Sequence, residues 1–115
     1  MTIYALSSGP GLAGISVIRV SGPDTKKVIL KLTNKELPKP RVASKRKINK
    51  IKDNKLIDEG ILIWFPGPRS YTGEDMAEFH VHGSKAVVEA IHASLSIIDG
   101  CRLAEPGEFT KIAFQ

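Results

Sequence analysis

Met76-Ala77-Glu78-Phe79-His80-Val81-His82 alternates apolar and polar residues strictly, so it reads as a β-strand with two different faces. Ala77, Phe79 and Val81 share one face, and Met76, Glu78, His80 and His82 share the other. The next residues change period. After Gly83-Ser84, the positions Val87, Val88, Ile91, Leu95 and Ile98 form a helical stripe, with Lys85, Glu89, His92 and Ser96 on the polar side and Gly100 as the stop. A strand that feeds directly into an amphipathic helix requires a sheet with helices packed on it.

Working backward, Arg69-Ser70-Tyr71-Thr72-Gly73-Glu74-Asp75 is a polar loop with an exposed aromatic, following the abrupt stop Pro66-Gly67-Pro68. Leu56 to Phe65 is a strand whose Ile61-Leu62-Ile63-Trp64-Phe65 run is apolar on both faces, as an internal strand requires. It pairs through a turn at Asp53-Asn54 with a basic strand in which Ile48 and Ile51 are the sparse apolar positions. Ser21-Gly22-Pro23-Asp24 reads as a helix start, with Ser21 as cap and Pro23 in the first turn. That helix buries Val28, Ile29 and Leu32 and closes at Asn34. Thr2–Leu6 and Ile15–Val20 are strands flanking the turn-rich loop Ser7 to Gly14. Cys101 to Ala104 is a further short strand, and Glu105-Pro106-Gly107-Glu108 opens a last helix bearing Phe109, Ile112 and Ala113. The order β-β-α-β-β-β-α-β-α predicts an α+β fold, a mixed β-sheet packed against helices. The last helix reaches Gln115 without a terminating residue, so the chain reads as one domain, 1–115, of a longer protein.

The 115 residues suffice for one core, and the 42% hydrophobic and 25% charged shares are those of a globular domain. No apolar run reaches membrane-spanning length and the N-terminus lacks a secretory pattern. A single cysteine, Cys101, permits no internal disulfide and fits a cytoplasmic protein, with the thiol a small core residue. The net charge of +5 is concentrated in Lys39, Arg41, Lys45, Arg46, Lys47, Lys50, Lys52 and Lys55, beside the lone acid Asp53. Such a strip is either a lysine-protected sheet edge or a phosphate-binding surface. It lacks the interleaved aromatics of a single-strand binder.

Glu78, His80 and His82 are the chemical constellation. Same-face neighbours on a strand lie about 6 to 7 Å apart, which is wide for three ligands on one metal ion. A carboxylate in a sheltered place can instead accept two parallel hydrogen bonds from the N–H and amino edge of a pterin or guanine. Arg19 shares a strand face with Ile15 and Val17, and its guanidinium suits a carboxylate or a flat heterocycle. The alternatives are a solvated carboxylate at Glu78 and a structural ion pair from Arg19 to Glu78 or Glu108. Gly9-Pro10-Gly11-Leu12-Ala13-Gly14 lacks the Gly-Lys-Ser/Thr ending of a phosphate loop, and a strand follows it. No nucleophile–base–orienter triad can be built, His92 belonging to another surface, so no catalytic residue is assigned.

These residues also carry a resemblance. Gly9 to Ile15 with Ile18-Arg19-Val20-Ser21-Gly22-Pro23 resembles the opening signature of the MnmE (TrmE) family of tRNA-modifying GTPases. Leu56-Ile57-Asp58-Glu59-Gly60, Phe65-Pro66-Gly67-Pro68, Ser70-Tyr71-Thr72-Gly73-Glu74-Asp75, Glu78-Phe79-His80-Val81-His82-Gly83 and Leu103-Ala104-Glu105-Pro106-Gly107-Glu108-Phe109-Thr110 follow in the family's order. Departures are small: Gly9-Pro10-Gly11 stands for Pro-Pro-Gly, and His82-Gly83-Ser84 for His-Gly-Gly. The resemblance implies a folate-binding and homodimerisation domain, similar to the folate modules of aminomethyltransferases. Its ligand would be 5-formyl- or methylenetetrahydrofolate. It implies Arg19 and Glu78 as folate contacts, and a third, a lysine, beyond Gln115. It further implies a full-length GTPase, using GTP with magnesium and potassium in a domain absent here, that works with the FAD-dependent MnmG on the wobble uridine of tRNA. The competing reading is a non-catalytic dimerisation or tRNA-docking module acting through Lys39 to Lys55.

Overall fold

The computed structural model describes residues 1–7 and 14–115, so the motif Gly9 to Ala13 lies outside the described residues. Six strands and three helices follow in the order β1 (Thr2–Leu6), β2 (Ile15–Ser21), α1 (Thr25–Thr33), β3 (Ser44–Asn49), β4 (Leu56–Phe65), β5 (Met76–His82), α2 (Lys85–Ser96), β6 (Cys101–Leu103) and α3 (Glu108–Ala113). The strands form one sheet, β3-β4-β5-β2-β1-β6. Its pairings are antiparallel except β1 with β6, so the sheet is mixed and the fold is α+β.

Register decides which side chains share the dry face. Tyr4, Val20, Ala77 and Trp64 align across four strands, and Ile18, Phe79 and Leu62 across three. All are buried, and α1 covers them with Val28, Ile29 and Leu32 while α2 covers them with Ile91 and Leu95. Sequestering each of these large side chains contributes about 1.5–3 kcal/mol, which makes this layer the main source of stability. The other face is left without a helical layer over most of its width. The basic strand β3 is the sheet edge, and β4 is internal but one place from it.

The start of α1 differs from the sequence reading. Ser21 is the last residue of β2, paired with Ile3 and Met76, and the helix begins at Thr25 with Asp24 as its cap residue. Gly22 at φ +140° cannot be helical, so the cap cannot lie before it. The Asp24 N–H instead donates to Thr2 Oγ1 at 2.7 Å. The other ends agree with their residues. Asn34 closes α1 in the left-handed conformation, and Ser84 Oγ accepts the Val87 N–H at the start of α2.

Candidate functional site on the open sheet face

β2 and β5 lie side by side at the centre of the sheet, and Arg19 is the register partner of Glu78. Their side chains meet, Arg19 Nε donating to Glu78 Oε2 at 3.2 Å. The other carboxylate oxygen, Oε1, lies 3.0 Å from His80 Nε2. Glu78 is thus held from two sides, and of the alternatives for Arg19 the ion pair with Glu78 is the one observed. Tyr71 completes the group, with the Arg19 guanidinium 5.4 Å from its ring centroid in a cation–π contact. Glu78 is 17% exposed and Arg19 34%, so the pair is sheltered yet reachable.

Tyr71 comes from the loop between β4 and β5, which is tied down rather than loose. The Gly67 N–H donates to Asp75 Oδ1 at 2.9 Å, and the Ser21 and Thr72 hydroxyls are 2.7 Å apart. Tyr71 also meets Phe114 edge-on, which seats the C-terminal residues beside the loop. Of the residues in contact with the pair, Tyr71 and His80 were not singled out as ligand contacts by the sequence. The exposed aromatic in a polar loop was the available signal for Tyr71.

His82 turns away from His80 to a different carboxylate. Asp58 Oδ2 accepts the His82 backbone N–H at 2.9 Å, and Oδ1 lies 2.8 Å from the ring Nδ1. Asp58 takes the place of a ladder partner here, since the β4–β5 pairing stops at Ile61 and His80. Burial alone would raise the Asp58 carboxyl; the hydrogen bonds from His82, backbone and ring, outweigh it and hold the group below the usual carboxylate range. A cleft of about 230 Å³ opens beside this pair, lined by Ile15, Ile61, Lys45, Glu59, His80 and His82. Among the described residues no group of three or more His, Cys, Asp or Glu side chains is placed to hold a metal ion.

Other expectations shift. His92 is half-buried: its ring centroid lies 5.3 Å from that of Tyr4, and its Nε2 is buried without a partner among the described residues. Nor does it belong to a separate surface, because it lines a cleft of about 470 Å³ that also reaches Arg19 and Leu103. Burial lowers its pKa. Glu108 is not the partner of Arg19; it accepts from Arg102, with Nη1–Oε1 at 2.8 Å. Cys101 is buried, and burial followed by the charge of Asp24 pushes its thiol up, which suits a packing role. In the basic strand, Lys45 and Lys47 are exposed, whereas Arg46 turns to the helix side, where its Nη1 approaches Thr33 Oγ1. No helix among the described residues is long and apolar enough to cross a membrane.

A mixed sheet with helices on one face and an ion-paired polar patch on the other defines an α+β domain with a candidate site at the Arg19–Glu78 pair. Its family is shown by comparison with known proteins. Residues 2–115 match the family model described as GTP-binding protein TrmE N-terminus, and the chain belongs to that family. It is 71% identical over its whole length to the tRNA modification GTPase MnmE of Pelagibacter ubique, covering 26% of that protein. Over 98% of its length it is 50% identical to the mitochondrial 5-taurinomethyluridine-[tRNA] synthase subunit GTPB3 of Danio rerio, and 48% identical to that of Homo sapiens, covering 22% and 23% of those proteins. The chain therefore spans about a quarter of the length of the curated relatives it matches.

Proposed function

We propose that this chain is the reduced-folate-binding and homodimerising domain of a GTPase that modifies the wobble uridine of tRNA in the cytoplasm, with the FAD-dependent MnmG as partner. The observation that carries the folate reading is the Arg19–Glu78–His80 group on the open sheet face, beside the half-buried Val17 and Ile61. The carboxylate of Glu78 is aimed before any ligand arrives. The Nε of Arg19 occupies one of its oxygens as an N–H donor, as one N–H of a pterin's aminopyrimidinone edge would. Glu78 takes that edge, and Arg19, released or re-paired, holds another polar part of the ligand close to that edge. Ile15, Val17 and Ile61 supply apolar surface for the rest.

Calorimetric titration with 5-formyltetrahydrofolate tests this. Affinity is expected to fall in both Arg19→Ala and Glu78→Ala, and unchanged affinity in both variants sinks the assignment. The third contact implied by the resemblance lies beyond Gln115, so the chain alone is expected to bind more weakly than the full-length protein. GTP, with magnesium and potassium, would serve only the GTPase domain outside this chain. Light scattering over a concentration series tests dimerisation.

The exposed Lys45 and Lys47 on the edge strand support a second reading, docking of tRNA through the basic stretch. It predicts tRNA binding that collapses with salt and with Lys45 and Lys47 substituted, and that folate leaves unchanged.

A further inference from the structure

We propose that His82, oriented by Asp58, is the proton donor that opens the five-membered one-carbon ring of a methylenetetrahydrofolate seated on the open face. The proposal rests on the folate reading above and adds a chemical role to a residue that reading leaves idle.

The geometry begins with direction. One end of the face is closed, where Ile3 and Met76 are each 2% exposed and Tyr71 and Thr72 reach onto Arg19 and Ser21. A flat ligand anchored by its edge on Glu78 must therefore extend the other way, over His80 toward His82. Along that path Val17 and Ile61 are half-buried and Ile15 is exposed. His82 is four residues beyond Glu78 on the same face, roughly 13 Å along a strand. That is about the span from the amino edge of a reduced pterin to its N10, once a hydrogen bond at Glu78 is included.

The chemistry lies in the Asp58–His82 pair. A carboxylate that accepts both the backbone N–H and the ring Nδ1–H fixes the imidazole in one tautomer and one orientation. The exchangeable proton then belongs to Nε2, the atom left free. Asp58 is 11% exposed on its side chain and His82 75%, so the orienting group is sheltered while the working group is accessible. Asp58, held below the usual carboxylate range by its hydrogen bonds from His82, stays anionic. The other charged groups facing the cleft, Lys45 on β3 and Glu59 on β4, are paired with each other at 3.5 Å, and His80 is engaged by Glu78.

The step balances without any further reagent. Nε2–H of the imidazolium gives its proton to N10, and the bond from N10 to the methylene carbon breaks with its electron pair passing to N10. The N5 lone pair then forms the N5=CH2⁺ iminium, and the neutral imidazole recovers a proton from solvent. Nothing is oxidised or reduced.

The test measures exchange of the methylene carbon of methylenetetrahydrofolate with ¹³C-formaldehyde, followed by NMR, using the full-length protein. The wild type is expected to accelerate exchange above the spontaneous rate. His82→Gln should lose roughly a hundredfold of that acceleration, the low end for general acid catalysis. Asp58→Asn should shift the pH profile of the exchange. Added imidazole should restore His82→Ala and not Glu78→Ala, which separates proton transfer from a structural defect. 5-Formyltetrahydrofolate, which has no ring to open, should bind wild type and His82→Gln alike. Glu78-dependent binding of that compound together with wild-type exchange in His82→Gln, or failure of imidazole rescue, overturns the proposal while the folate reading stands. Absence of any binding of 5-formyltetrahydrofolate overturns both.

Discussion

Arg19 and Glu78 stand opposite each other in the β2–β5 register and join through a single hydrogen bond of 3.2 Å, from Nε rather than through a two-pronged fork. The guanidinium's outer nitrogens are thus not used by Glu78, and the group lies over the Tyr71 ring, 5.4 Å from its centroid. A fully satisfied structural pair would present both nitrogens to both oxygens. Here the second oxygen goes to His80 instead.

Stability and binding should therefore separate at this pair. A partly exposed ion pair is worth at most about 1 kcal/mol, which for a domain of this size is a Tm shift of about 4–8 °C or less. Loss of a charge-assisted hydrogen bond to a ligand costs roughly 1.5–3 kcal/mol, or about ten- to a hundredfold in affinity. Glu78→Gln is thus expected to melt close to wild type and to bind 5-formyltetrahydrofolate at least tenfold more weakly. Thermal denaturation beside calorimetry checks it. A large drop in Tm with unchanged affinity would make the pair structural.

His92 should make the domain acid-sensitive in a defined window. Its pKa is lowered by burial, so the unfolded chain takes up a proton, near the ordinary histidine value of 6.5, before the folded chain does. Its neutral form is compatible with the fold, and stability is lost as pH falls below about 6.5 toward the lower folded value. His92→Phe keeps a flat ring against Tyr4 and removes the titration. Urea unfolding at pH 7 and pH 5 should show a smaller difference for this variant than for wild type. An equal difference in the two proteins rejects the assignment.

Glu108 sets a second, lower window. The hydrogen bond from Arg102, then that from the Glu105 N–H, hold its carboxyl at about 2 against an ordinary 4.5. Because the folded value is depressed, its contribution is complete above about 4.5 and is lost as pH falls from there through about 2. Carboxyl-carbon NMR should find Glu108 still ionised at pH 3, and Arg102→Ala should return it to the usual carboxylate range. A normal titration in the wild type removes the support for this contact as the anchor of α3.

Much of this was legible because alternation and helical period are strong signals. The two faces of Met76–His82 and the stripe of α2 follow directly from side-chain order. Arg19 and Glu78 could be named as site residues, but only strand pairing could make them neighbours across fifty-nine positions. The partnership of Asp58 with His82 was illegible for the same reason. It depends on where the β4–β5 ladder ends, which no local pattern encodes. Helical period puts His92 beside the polar residues of α2, whereas Tyr4 of β1 packs against that flank. The α1 start was misplaced because Ser21 satisfies a capping pattern and a strand pattern alike, and Gly22's left-handed φ decided between them.

Gly60 offers the sharpest test of how the fold positions the site. A Cβ placed there would lie 2.3 Å from the His80 carbonyl oxygen and 3.2 Å from Val81 Cγ1. The first obstacle is backbone, which cannot swing aside as a flexible side chain would. Gly60→Ala must push β4 away from β5 at the point where Asp58 reaches His82. Overpacking of this kind costs typically about 1–3 kcal/mol, and a backbone clash belongs at the upper end. A Tm loss of about 8 °C or more is expected, on a scale of about 4–8 °C per kcal/mol. The His82 ring should also lose its carboxylate partner, visible as a changed Nδ1 environment in ¹⁵N NMR of the imidazole. A variant that melts as wild type with the ring signal unmoved would mean that β4 and β5 are not pressed together at Gly60, and the placement of Asp58 would then need another cause.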